Sequence, residues 1–171
     1  MRDIVKDRKI GEHWEKEFCY MANDYGYLFT GLQLDRKTSA VAYQNSKRYT
    51  LPDIVLWSAP GQFHEIKHKN PTKGGAYGLE VYRLEALLHF AKETNQNVYY
   101  TIHNYDLNGG KKSLENNIDH WFTANVLLLA KFTSNKPSCK WGSWINGRWV
   151  DNVPMWFWDT SLFTPLIDYW Q

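Results

Sequence analysis

The fold turns on one stretch: Tyr49-Thr50-Leu51-Pro52-Asp53-Ile54-Val55-Leu56-Trp57, then Ser58-Ala59-Pro60-Gly61, then Gln62-Phe63-His64-Glu65-Ile66-Lys67-His68-Lys69, closed by Asn70-Pro71. Ile54 to Trp57 is an apolar run of the kind that ends a buried strand. Ser58 to Gly61 is turn chemistry. The segment from Gln62 to Lys69 is short for a helix and ordinary for a strand. An antiparallel hairpin follows. With its turn centred near Ala59-Pro60, Asp53 falls opposite Ile66 or Lys67, and a one-residue adjustment of register sets its carboxylate beside Glu65. Side chains alternate along a strand, so Glu65 and Lys67 share one face while His64, Ile66 and His68 share the other.

The same residues spell a competing pattern. His64-Glu65-Ile66-Lys67-His68 is H-E-x-x-H, in which two histidines on one helix face hold zinc beside a glutamate base, the arrangement of a zinc metallopeptidase. That chemistry needs a helix, and only Phe63 and Ile66 are apolar here, too few for a buried helix face. On a strand, His64 and His68 become packed or hydrogen-bonded residues of the back face.

Working outward, Trp14, Phe18, Met21 and Tyr25 form a helical stripe over residues 10–25, ended by Gly26. Strands are predicted at Tyr27 to Leu34, Ser39 to Tyr43, Tyr49 to Trp57 and Gln62 to Lys69. Leu79 to Thr94 is a second helix with Val81, Leu84, Leu88 and Ala91 as its stripe, and Asn97 to Ile102 a further strand. Asn108-Gly109-Gly110 marks a boundary. Beyond it, Val126 to Ala130 is expected as a strand, and Trp144 to Trp149 as a hairpin around an Asn146-Gly147 turn. The order of elements predicts an α/β (α+β) fold: a mixed central sheet flanked by helices, with a Trp-rich, β-containing C-terminal extension. One domain is expected over residues 1–171, its core at about 9–105 and its extension at about 111–171.

Composition excludes several classes. The chain has 171 residues, 43% hydrophobic and 22% charged, suited to a single globular domain. No apolar run is long enough to span a bilayer, and Met1 to Ile10 lacks the apolar core of a signal peptide, so a cytoplasmic location is expected and no membrane partner. Cys19 and Cys139 are far apart, which excludes a four-cysteine zinc or iron–sulfur site in one chain. The net charge is only +2, so a nucleic-acid partner requires a local basic patch. Residues 36–73 supply one, with Arg36, Lys37, Lys47, Arg48, Lys67, Lys69 and Lys73. Six of the nine tryptophans lie between Trp141 and Trp170. They fit core packing, a dimer interface or base stacking.

The convergence of Asp53, Glu65 and Lys67 has a chemical use. Two carboxylates and the backbone carbonyl of Ile66 make an oxygen-only site suited to Mg²⁺ or Mn²⁺. An ion there polarises phosphorus and acidifies a water, while the Lys67 ammonium orients that water and stabilises transition-state charge. Phosphodiester hydrolysis needs these functions.

Pro52-Asp53 followed by Glu65-Ile66-Lys67 resembles the motif of the PD-(D/E)xK nuclease superfamily. Gly11-Glu12-His13-Trp14-Glu15-Lys16-Glu17 is similar to the first helix of archaeal-type Holliday-junction resolvases, and the order of the second helix and following strand also agrees. The resemblance covers about residues 9–105. It implies a restriction-endonuclease-like fold and a Mg²⁺- or Mn²⁺-dependent DNA endonuclease active in DNA recombination, on branched or four-way junction DNA. It also implies that Glu15 joins Asp53, Glu65 and Ile66 at the metal, with Glu12 as the competing helix carboxylate. Arg36, Lys37, Lys47, Arg48, Lys69 and Lys73 are then candidate phosphate contacts, and Tyr82 and Arg83 could meet phosphate from the second helix. Symmetric cleavage of a four-way junction needs two sites, so that substrate implies a homodimer. A DNA-binding module without catalysis is the third reading. The chain between the first helix and Asp53 is longer than in compact resolvases, and the Trp-rich segment lies outside their core.

Overall fold

A computed structural model describes residues 4–31, 41–44, 47–57, 61–107, 110, 115–145 and 148–170. The chain opens with helix α1 (Ile4–Asp24) and continues through β1 (Leu28–Gly31), β2 (Val41–Gln44), β3 (Lys47–Thr50), β4 (Ile54–Trp57), β5 (Gln62–His68) and β6 (Ala76–Glu80) to helix α2 (Val81–Thr94). Then follow β7 (Asn97–His103), β8 (Trp121–Asn125), α3 (Val126–Lys131), β9 (Ser138–Ile145), β10 (Arg148–Asp159), β11 (Thr164–Pro165) and α4 (Leu166–Tyr169).

Six strands form a mixed sheet in the order β1-β4-β5-β7-β8-β11. β5 and β7 run parallel and every other pair is antiparallel. The parallel pair requires a crossover, and β6 with α2 supplies it. A second sheet has the order β6-β10-β9, and β2 pairs with β3 separately. The fold is α+β with helices on both faces of the mixed sheet. Among the described residues no helix is long and apolar enough to cross a membrane.

Strand alternation divides the core in two. Val98, Tyr100 and Ile102 of β7 face α2, where they meet Leu84, Leu87, Phe90, Leu129 and Trp158. On the other face Ile54, Leu56 and Ile66 meet Trp14, Phe18 and Met21 of α1, with Trp121, Leu166 and Trp170. Truncating a fully buried aromatic such as Phe18 costs about 3–5 kcal/mol. Trp14 stacks on the neighbouring rings of His103 and His68, with ring centroids 3.6 and 4.9 Å away.

The predicted hairpin is present. Ile54 pairs with His64, Val55 with Phe63 and Leu56 with Gln62. This register, carried one residue further, brings Asp53 opposite Glu65, one residue short of the expected Ile66. Four expectations need correction. The expected strand from Tyr49 to Trp57 is two strands, interrupted at Leu51 to Asp53, where Pro52 has no N–H to continue a ladder. Leu79 and Glu80 are not the start of the second helix but the end of β6, paired with Trp156 and Met155. Val126 to Ala130 is helical: the Asn125 side chain accepts the Leu127 N–H at 2.9 Å, an N-cap, and Leu, Ala and Lys favour helix. The strand lies just before it. Tyr25 is exposed and falls off the α1 stripe. In the C-terminal hairpin Trp144 pairs with Trp149 and Ile145 with Arg148, while the turn at Asn146-Gly147 lies outside the described residues.

Candidate active site

Asp53 stands just before β4, beside β5. Its N–H donates to the His64 carbonyl at 3.0 Å, and its Oδ2 accepts the Ile66 N–H at 2.7 Å. The second bond pins the carboxylate to the backbone of the strand that carries Glu65 and Lys67. Glu65 is 1% exposed, so its charge needs donors on both oxygens. Lys67 Nζ donates to Oε1 at 2.5 Å, Arg83 Nε to Oε1 at 2.8 Å, and Arg83 Nη2 to Oε2. Arg83 Nη2 also donates to the Leu51 carbonyl at 3.3 Å. Lys67 Nζ is 3.9 Å from Asp53 Oδ2, so one ammonium bridges the two carboxylates.

Glu15 approaches from α1. With Asp7, Gly11, Ile66, Lys67 and His68 it lines a cavity of about 290 Å³. Asp7, Gly11 and Glu15 recur at four-residue intervals, one face of the helix. Glu12 points elsewhere, paired with Arg8 at 2.7 Å on the exposed side.

The charges are set by position. Burial, and then the neighbouring Asp53 carboxylate, lifts Glu15 to about 8. Burial, and then Glu65, lifts Asp53 to about 6. Burial pushes Glu65 the same way, but Arg83 and then Lys67 outweigh it and hold the group at about 2. Burial opposes the Lys67 charge, yet Glu65 and Asp53 raise its pKa above the ordinary lysine value. Lys67 is therefore a fixed cation and not a base.

The histidines of the H-E-x-x-H pattern lie on the opposite side of the sheet from Glu65. His64 is fully buried, with Nδ1 2.8 Å from Thr101 Oγ1, and burial lowers its pKa to about 3. His68 Nδ1 is 2.9 Å from His103 Nδ1. Four residues of strand hold the two rings about 13 Å apart along the chain. The zinc peptidase reading fails on this geometry.

The candidate phosphate contacts fare differently. Arg36 and Lys37 lie outside the described residues, and so do the side chains of Lys47 and Arg48 on β3. Lys69 is turned inward: Nζ donates to the Gly78 carbonyl at 2.6 Å and sits 5.5 Å from the Tyr100 ring centroid. It is engaged within the protein rather than presented to a phosphate. Lys73 is exposed. Arg83, expected at phosphate, is instead bound to Glu65. A signal for it exists: the buried face of α2 is Leu84, Leu87, Phe90 and Ala91, and Arg83 sits four residues before Leu87 on that side.

The donors fit a hard cation in kind. They are carboxylate oxygens, and two of the carboxyl groups, Glu15 and Asp53, are raised above the ordinary carboxylate range first by burial and then by the neighbouring acid. They do not form a closed cage: among the described residues no three His, Cys, Asp or Glu side chains are placed to hold one ion. Both Glu65 oxygens are occupied by protein donors.

No family model matches the sequence, and no curated protein matches it. Among solved structures the chain is similar to Archaeoglobus fulgidus Hjc, a Holliday junction resolvase from an archaeal hyperthermophile, with 12% identity, 94% of each chain covered and a TM-score of 0.52. At that identity the likeness is one of fold, the restriction-endonuclease-like arrangement of a mixed sheet between helices. It spans 94% of the chain and so takes in most of the Trp-rich segment as well as residues 9–105.

Proposed function

We propose that this chain is a divalent-metal-dependent endonuclease that hydrolyses DNA phosphodiester bonds, with branched or four-way DNA as its favoured substrate. The observation that carries the reading is the juxtaposition of Asp53, Glu65 and Lys67 on one face of a hairpin, with Glu15 entering from α1, in a fold like that of a junction resolvase. Asp53, Glu65, Glu15 and the Ile66 carbonyl would hold Mg²⁺ or Mn²⁺, which when bound supplies Lewis-acid polarisation of the phosphoryl oxygen and a more acidic water.

The rest is the work of the chain. Asp53 is held in place through the Ile66 N–H, so its orientation does not depend on substrate. Lys67 stays protonated and 32% exposed, reaching the cavity with its charge while bonded to Glu65. There it orients the attacking water and offsets the negative charge that grows on the phosphoryl oxygens. The cavity lined by Asp7, Gly11, Glu15, Ile66 and Lys67 admits the phosphate edge. Cutting both strands of a four-way junction symmetrically calls for a second copy of the chain.

The test is a cleavage assay on labelled linear, flapped and four-way DNA in Mg²⁺, with EDTA as control and a gel shift in Ca²⁺. Cleavage in Mg²⁺, strongest on the branched forms, is the expected result. Binding without cleavage in any divalent ion makes the chain a non-catalytic DNA-binding module instead.

A further inference from the structure

Arg83 is the strongest bond that Glu65 makes, and it has no place in the hydrolysis just described. It lies in the first turn of α2, 12% exposed, and takes both oxygens of the carboxylate in a fork. The Leu51 carbonyl, from the interruption just before Asp53, anchors the same guanidinium at 3.3 Å. Lys67 adds a second donor on Oε1. With two donors on Oε1 and one on Oε2, an incoming cation meets a carboxylate that already holds two positive groups. Lys67 is the more exposed donor and is tethered by a flexible stem, so it can shift. Arg83 is forked and anchored at two points, so it is the donor that must be displaced.

We propose that Arg83 is a positioning residue that competes with the divalent ion for Glu65, keeping the ion's hold on the resting site weak. The proposal rests on the nuclease reading, since it takes Glu65 to be a ligand. It explains why Glu65, the deepest acid of the site, is bonded to two cations in the resting chain. Removing any nearby positive charge favours a cation by Coulomb attraction alone, so the competition is read from Arg83→Lys, which keeps the charge: an arginine that acts only through its charge leaves ion binding unchanged in that variant.

The experiment measures Mn²⁺ binding to the DNA-free, full-length protein at pH 7.5, from the signal of free Mn²⁺ in electron paramagnetic resonance. Arg83→Gln should bind Mn²⁺ about ten-fold more tightly than wild type, equivalent to about 1.4 kcal/mol. Arg83→Lys keeps the charge but loses the fork, and should fall between the two. If Arg83→Gln does not fold, Arg83→Lys decides alone. Unchanged or weaker binding in a folded variant overturns the proposal. Asp53→Asn separates this from failure of the nuclease reading. If it weakens Mn²⁺ binding in both the wild-type and Arg83→Gln backgrounds, the ion is at this site and the comparison of Arg83 variants stands. If Asp53→Asn leaves binding untouched, the ion is elsewhere, and the metal-centre reading falls together with the competition.

Discussion

Lys67→Ala separates chemistry from binding. The ammonium lies 2.5 Å from Glu65 Oε1 and 3.9 Å from Asp53 Oδ2, and its pKa is raised by both acids, so the variant removes a fixed positive charge from the centre of the site. Glu65 keeps the Arg83 fork and is not stranded. The ion pair is partly open to water, so stability should fall by only about 1 kcal/mol, read from a urea transition. Loss of a transition-state cation costs about 100-fold or more in rate. DNA affinity should change little, since one cation among several accounts for about one unit of the salt slope. The assay is single-turnover nicking of a labelled branched duplex in Mg²⁺, beside a gel shift in Ca²⁺ at several salt concentrations. A variant that cuts as fast as wild type makes Lys67 a surface charge and refutes the assignment. One that loses cleavage only in proportion to binding makes it a phosphate contact.

Other outcomes are expected. Asp53→Asn keeps an acceptor for the Ile66 N–H and should fold, but it should not cleave in Mg²⁺, and high Mn²⁺ should restore part of its activity while restoring none to Lys67→Ala. His103 is uncharged in the folded chain, its pKa pressed from the ordinary 6.5 to about 3 by burial and then by His68, His120 and His13. The unfolded chain takes up a proton in that window that the native chain refuses, so stability should fall as pH drops from 6.5 toward 3, by up to about 1.4 kcal/mol per unit, and urea transitions of His103→Gln should show a shallower slope. Cys19 is buried with its thiol raised to about 12, while Cys139 is exposed. Iodoacetamide should therefore add once to the native protein, at Cys139, and twice only after unfolding, as read by intact mass.

The hairpin was legible because its signals are local: the breakers at Pro60-Gly61 and Asn70-Pro71, and an apolar run ending at Trp57. Alternation along β5 puts Glu65 and Lys67 on one face and the histidines on the other, and the contacts agree: His64 meets Phe18 of α1 while Glu65 meets Arg83 of α2. What the sequence did not carry is whatever depends on distant partners. β6 is a strand because Leu79 and Glu80 pair with Trp156 and Met155, far along the chain. Those residues otherwise suit the start of a helix. Val126 to Ala130 has the apolar run of a strand and becomes a helix through one cap from Asn125. Arg83 is expected at phosphate because the stripe of α2 is read one position away, on Leu88 instead of Leu87. Lys69 shares its face with Lys67, yet it turns to the Gly78 carbonyl, an acceptor supplied by a strand the sequence did not reveal.

The central claim is that Asp53 and Glu65 hold a divalent ion beside Lys67. The most direct test is anomalous diffraction at the manganese edge from crystals of the protein grown with Mn²⁺. The account predicts one peak bound by the carboxylates of Asp53 and Glu65 and the carbonyl of Ile66, with Lys67 alongside. A manganese peak elsewhere, or none here in crystals saturated with the ion, contradicts it.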